Sequence, residues 1–220
     1  MSQRILVWDI PTRIFHWALV LSFAGAFLTA ETERYRDVHV ALGYLILGLI
    51  GFRLIWGVVG SRYARFSSFT FRPSEIVAYL KSLLQRHPMH YLGHNPAGAV
   101  AIFLLLGLGM ISAISGVLLY LEVGGEMFKD LHEGAANLML AVVVIHVAGV
   151  VVSSLLHREN LVRSMLTGYK SGRPGQGITR TFSWLGVIMA ATIAAFLAFY
   201  QPTGSATSGE HGAQTIDHED

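Results

Sequence analysis

Residues 132–152 read "HEGAANLMLAVVVIHVAGVVV". The stretch is almost wholly apolar and long enough to cross a bilayer, which takes about twenty residues. Yet it carries His132 and His146, fourteen residues apart. Fourteen residues span about 21 Å of helix and return to within about 40° of the same face. Both rings therefore look into one side of a bundle at two depths. Ionisable side chains are costly in hydrocarbon, so such rings mark function.

Four further apolar segments accompany it: 13–30, 39–60, 97–123 and 182–200, the quoted span itself running on to about Leu156. Each is long enough to span about 30 Å of hydrocarbon. The expected fold is an all-α membrane protein, with a four-helix transmembrane bundle (1–170), a linker and fifth transmembrane helix (171–200) and an acidic, disordered tail (201–220). The composition agrees. Of 220 residues, 53% are hydrophobic and 14% charged, with a mean hydropathy of +0.51. A soluble domain carries about 25% charged residues. The first apolar run lacks a cleavage-site pattern and reads as a retained helix rather than a signal peptide. No cysteine is present, which excludes disulfides, thiolate metal sites, iron–sulfur clusters and c-type haem attachment.

Charge sets an expected topology. Twelve basic residues, from Arg4 to Arg180, precede helix one or lie in the loops between spans two and three and between spans four and five. Only Arg34, Arg36 and Lys129 lie on the other side. The positive-inside rule then puts the N-terminus in the cytoplasm and the C-terminal tail outside. It also explains a pI near 9.0 without nucleic acid. Residues 73–87, "PSEIVAYLKSLLQRH", repeat Ile76, Val77, Leu80, Leu83 and Leu84 at helical spacing. They predict a short amphipathic helix on the cytoplasmic face.

Depth arithmetic then pairs the histidines. Span one starts inside, so His16 is near the inner surface; span two starts outside, so His39 is near the outer one. His132 matches the depth of His39, and His146 that of His16. Two imidazoles at one depth, twice, suit two bis-histidine haems held between facing helices. Zinc fits less well, because it prefers four ligands and each level offers two. Arg53 follows His39 by fourteen residues and shares the depth of the inner pair. Its guanidinium could hold a haem propionate or snorkel to the interface. Arg13, Arg34 and Arg36 are weaker propionate candidates. Gly25, Gly43, Gly51, Gly107, Gly109 and Gly116 permit close approach, by helices or by flat macrocycles.

His87, His90, His94, His157, His211 and His218 fall in loops, helix ends or tail. "HPMHYLGHN", 87–95, could serve a quinone, but reads more simply as an interfacial loop in which Asn95-Pro96 starts a helix. His211 and His218 read as solvated tail residues.

"RIFHW" (13–17), "HVALGYLILGLIGFRLIWGVVG" (39–60), "LGHNPAGA" (92–99) and the His132–His146 pair together resemble the bacterial cytochrome b561 family, which includes the b-type cytochrome subunits of nickel–iron hydrogenases. The resemblance covers about residues 4–170. It implies a di-haem b electron carrier, ligated by His16, His39, His132 and His146, that exchanges electrons with the quinone pool. The expected partner is a periplasmic c-type cytochrome, a hydrogenase or another oxidoreductase. Rival readings are a quinone-linked oxidoreductase acting by itself on a small species such as superoxide at the outer haem, and a transporter. A transporter predicts repeats and broken helices, which the sequence lacks.

Overall fold

The computed structural model describes residues 3–85 and 89–200. The tail from 201 onward, with His211 and His218, and His87 in the 87–95 segment lie outside the described residues.

The chain begins with β1 (Gln3–Leu6) and enters α1 (Ile10–Thr29). The Asp9 carboxylate starts that helix by accepting from the Thr12 amide at 2.7 Å, and Pro11 sits in the first turn, where its missing N–H costs nothing. Helix α2 (Arg36–Val59) follows. Helix α3 (Pro73–Leu84) opens on proline, and the Glu75 carboxylate accepts from the Arg72 amide at 2.6 Å. Helix α4 (Pro96–Tyr120) starts at Asn95, whose side chain accepts from the Gly98 amide at 2.7 Å, as its Asn-Pro signal predicts. Then come α5 (Gly125–His157), α6 (Leu161–Thr167), β2 (Tyr169–Gly172) and α7 (Ser183–Phe199).

The largest shift from expectation is in α5. It starts at Gly125, seven residues before His132, and has 33 residues. Polar residues such as Glu126, Lys129 and Asp130 end an apolar run but not a helix, because backbone hydrogen bonding continues through them. The pair β1–β2, antiparallel with Gln3 opposite Gly172, and α6 left no readable sequence signal. Each is too short to show a period. In α3 the buried residues are Tyr79 and Ser82, while Val77, Leu80 and Leu84 stay exposed. The predicted stripe therefore faces outward and is left free for the membrane surface.

Among the described residues four helices (α1, α2, α4 and α5) are long and apolar enough to cross a membrane; α7, at 17 residues, is shorter. Large apolar side chains stand fully out on the bundle exterior: Leu21 is 71% exposed, Val58 70% and Ile145 69%. Such a surface is stable against lipid and not against water. The chain is an integral membrane protein by this criterion. Its core is built on Phe15, Leu45, Ile46, Leu49, Ile50, Leu106 and Met189. Helix α1 packs on α2, α2 on α4, α4 on α5, and α7 on α1. Neither α1 nor α2 has an extensive interface with α5. Gly25 and Gly109 serve helix crossings: a Cβ would meet Leu42 at 2.8 Å and Ile50 at 2.9 Å respectively.

Candidate functional site

At one end of the bundle, the end that the charge asymmetry predicts to be outer, His39 of α2 and His132 of α5 face each other. Their ring centroids are 5.9 Å apart and the planes are nearly perpendicular, at 79°. Each ring is oriented by a backbone carbonyl. His39 Nδ1 lies 2.8 Å from the Ala26 oxygen, and His132 Nδ1 lies 2.8 Å from the Ser112 oxygen. A carbonyl accepts only, so each Nδ1 carries the proton and each Nε2 is left with a free lone pair. Ala26 is on α1 and Ser112 on α4, so all four long helices meet at this level. His132 sets its Cε1–Nδ1 edge against α4: a Cβ at Gly116 would come within 2.8 Å of its Cε1. Val40, Gly43, Tyr44, Ala113, Val117 and Tyr120 complete the cleft.

This geometry can be tested against a metal held between the rings. Imidazole nitrogens bind iron or zinc at about 2 Å, which separates two rings on opposite sides of one ion by about 6 Å between centroids. The 5.9 Å separation fits. Among the described residues no group of three or more histidine or acidic side chains gathers into a metal site. Two neutral nitrogens alone suit an ion that brings its own equatorial ligands, as haem iron does.

The inner level is built differently. His16 of α1 and His146 of α5 lie close enough to interact electrostatically, but α1 and α5 do not pack closely. His16 Nδ1 is buried without a hydrogen-bond partner, and its ring meets Trp17 edge-on at 5.1 Å. Arg53 also belongs here and does not snorkel. It is only 3% exposed, with its guanidinium 4.8 Å from the Phe66 ring and 5.9 Å from that of Phe69. Its Nη1 is buried without a partner. Asp9 is close enough to act on its charge but makes no hydrogen bond to Nη1. A sealed donor without a partner is costly, and a further carboxylate could satisfy it. The other basic candidates differ. Arg13 Nη2 is committed to the Leu166 carbonyl, and Arg34 and Arg36 are exposed.

Sequence reasoning missed two features of this level. Asp9 is fully buried. Besides capping α1 it accepts from Trp56 Nε1 at 3.2 and 3.3 Å and from the Ser61 hydroxyl, tying the start of α1 to the end of α2. Its N-cap position before Ile-Pro-Thr was the available signal. The second is His94, which is no plain loop residue. It packs between Trp8, at 4.6 Å, and Phe69, at 4.4 Å, and its Nδ1 is sealed without a partner. Burial first, then the charges of Arg53 and Lys170 and the nearby His146 and His16, push its imidazole down to about 3. It is neutral at physiological pH. His90, by contrast, is exposed and meets His157 at 5.5 Å.

Below this level the short sheet and α6 form a cap. Lys170 is buried and pairs with Glu159 at 3.2 Å while donating to the Tyr91 carbonyl at 3.3 Å. Val7 and Trp8 amides both donate to the Gly168 carbonyl. Gly168 has φ of 88°, and a Cβ there would come within 2.7 Å of the Trp8 carbonyl, so only glycine fits.

Comparison with known proteins gives one family. The model for prokaryotic cytochrome b561 matches residues 7–168. Curated relatives include the probable Ni/Fe-hydrogenase B-type cytochrome subunit of Azotobacter vinelandii, 26% identical, covering 79% of this chain and 92% of that protein. The corresponding protein of Rhizobium leguminosarum bv. viciae is 25% identical, covering 76% and 88%. The probable Ni/Fe-hydrogenase 1 B-type cytochrome subunit of Escherichia coli (strain K12) is 25% identical, covering 77% and 92%. No solved structure matches.

Proposed function

This chain belongs to the prokaryotic cytochrome b561 family, and from that premise we propose that it carries two b haems and passes electrons across the bacterial inner membrane, between quinone and a periplasmic redox partner. The family makes it a b-type electron-transfer cytochrome. The ligand set, the second haem, the quinone and the direction of insertion are our reading. The relatives' names point to a nickel–iron hydrogenase as the partner, in preference to a self-sufficient oxidoreductase.

One observation carries the reading: His39 and His132 stand 5.9 Å apart with both Nδ1 atoms committed to carbonyls. In this reading these two hold the outer haem, and His16 and His146 hold the inner one. Arg53 supplies a propionate's counter-charge at the inner level. The bound haems would supply reversible one-electron chemistry at each level.

The chain's own part is orientation and exclusion of water. The Ala26 and Ser112 carbonyls fix two ring tautomers and hold the rings facing. Ile50, Leu106 and Met139, between the two levels, are nearly sealed from solvent and keep that region dry. A dry medium lowers the solvent reorganisation that an electron's passage demands. Asp9 holds the start of α1, and with it His16, against α2. Twelve basic residues on one side support insertion with the N-terminus in the cytoplasm. Helix α7, about 26 Å long at 1.5 Å per residue, reads as a fifth span ending in the periplasm.

The test is haem quantitation of the purified chain by pyridine haemochrome and reduced-minus-oxidised spectra. Two b haems per chain are expected. A colourless protein after haem-replete expression overturns the reading.

A further inference from the structure

Helix α7 lies outside the residues that match the family, yet it reaches both levels of the bundle. At its inner end Phe182 takes a left-handed backbone, with φ of 53°, and sets its ring edge-on to Trp56 at 5.1 Å. Trp56 is the residue that donates to Asp9. In its first turn, Gly186 receives Ile10: a Cβ there would lie 2.4 Å from Ile10 Cγ2. Met189 is buried in the bundle core, with Ile193 and Phe196 against it.

At the outer end the contacts run on as a chain of rings. Phe196 meets Tyr200 at 5.0 Å and Tyr200 meets Tyr44 at 5.9 Å, both with tilted rings, and Tyr44 meets Tyr120 perpendicularly at 6.4 Å. Tyr44 and Tyr120 line the same cleft as His39 and His132. Tyr200, just past the last residue of α7, therefore backs a wall of the outer site. Rings packed this way exclude water by area and by edge-to-face preference.

We propose that α7 is a structural wall of the outer haem site, and that Tyr200 is the positioning residue that holds Tyr44 over the cleft and keeps water from its rim. The proposal rests on the haem reading given above. Its consequence follows from charge. With two neutral imidazole ligands, the oxidised centre carries one more positive charge than the reduced one, and water stabilises that charge. A covered rim therefore raises the potential, and an uncovered one lowers it. A tyrosine near a membrane surface can instead be a plain interfacial anchor, and that role leaves the potential alone.

The test uses the full chain, purified in lipid nanodiscs, with Tyr200→Ala and Tyr200→Phe. Midpoint potentials come from optical redox titration, and rates from stopped-flow reduction by dithionite, a water-soluble reductant. Tyr200→Ala should lower the potential of one haem, the one removed by His39→Ala, and speed its reduction severalfold. The other haem should not change. Tyr200→Phe keeps the ring and should behave as the unaltered chain. Loss of the outer haem alone from Tyr200→Ala also supports the proposal. Unaltered potentials and rates with both haems bound overturn it, and so does an equal change in both haems, which marks general loosening. If His39→Ala and His132→Ala fail to remove one common haem, the underlying haem reading fails. If they do remove it and Tyr200→Ala is silent, only the role of α7 fails.

Discussion

The two ends of the bundle hold the same residue pair in opposite conditions. At the outer level both histidines are oriented by carbonyls from neighbouring helices and stand 5.9 Å apart. At the inner level His16 Nδ1, His94 Nδ1 and Arg53 Nη1 are all buried without partners. The outer site is organised by the polypeptide alone. At the inner site two ring nitrogens and one guanidinium nitrogen have no hydrogen-bond partner, although Asp9 acts on the Arg53 charge; buried polar atoms of this kind are uncommon. A preformed ligand pair and an incomplete polar cluster should respond differently to the same kind of perturbation.

The hardest break is ligand removal. His39→Ala and His132→Ala should each remove the same single haem, halving the haem content, while His146→Ala removes the other. Spectral quantitation on purified protein checks this. Loss of different haems from His39→Ala and His132→Ala would separate the pair and end the comparison.

Next is the latch under the inner level. Asp9→Ala deletes an N-cap and strips the partners of Trp56 Nε1 and Ser61, so it should cost about 3 kcal/mol. Thermal unfolding should show it, with the inner haem lost before the outer one. A smaller, opposite break is Gly116→Ala. Its new Cβ presses on the His132 ring, and forcing that ring off its rotamer costs about 1 kcal/mol. The outer haem should shift in potential and the inner one should not.

The smallest effect concerns pH. His94 is pushed down to about 3 by burial, then by Arg53 and Lys170. The unfolded chain takes up that proton near pH 6.5, the folded chain only near 3. Between these values the unfolded state binds more protons, so stability falls as pH falls. Unfolding temperatures followed from pH 7 to 4 should drop less steeply in His94→Phe than in the unaltered chain. An identical slope would show that other groups carry the dependence.

Much of this was legible beforehand for physical reasons. Spans are long, so their apolar runs survive any uncertainty of a few residues, and fourteen-residue spacing fixes both face and depth without coordinates. The helix starts at Asn95 and Pro73 were readable because capping is local. The burial of Arg53 was half legible: its depth followed from His39, but its choice of Phe66 and Phe69 over the interface did not. Asp9 and His94 escaped because their partners, Trp56, Ser61, Trp8 and Phe69, come from distant parts of the chain.

The sequence by itself determined the four long apolar helices, the relative depths of their histidines and the charge asymmetry, since each depends only on helical rise, period and composition. The tertiary structure decided what surrounds each pair. It gave each outer histidine a backbone carbonyl, and it left the inner His16 Nδ1, His94 Nδ1 and Arg53 Nη1 without hydrogen-bond partners. Those features depend on which helices meet, and helices meet through contacts that no local period encodes.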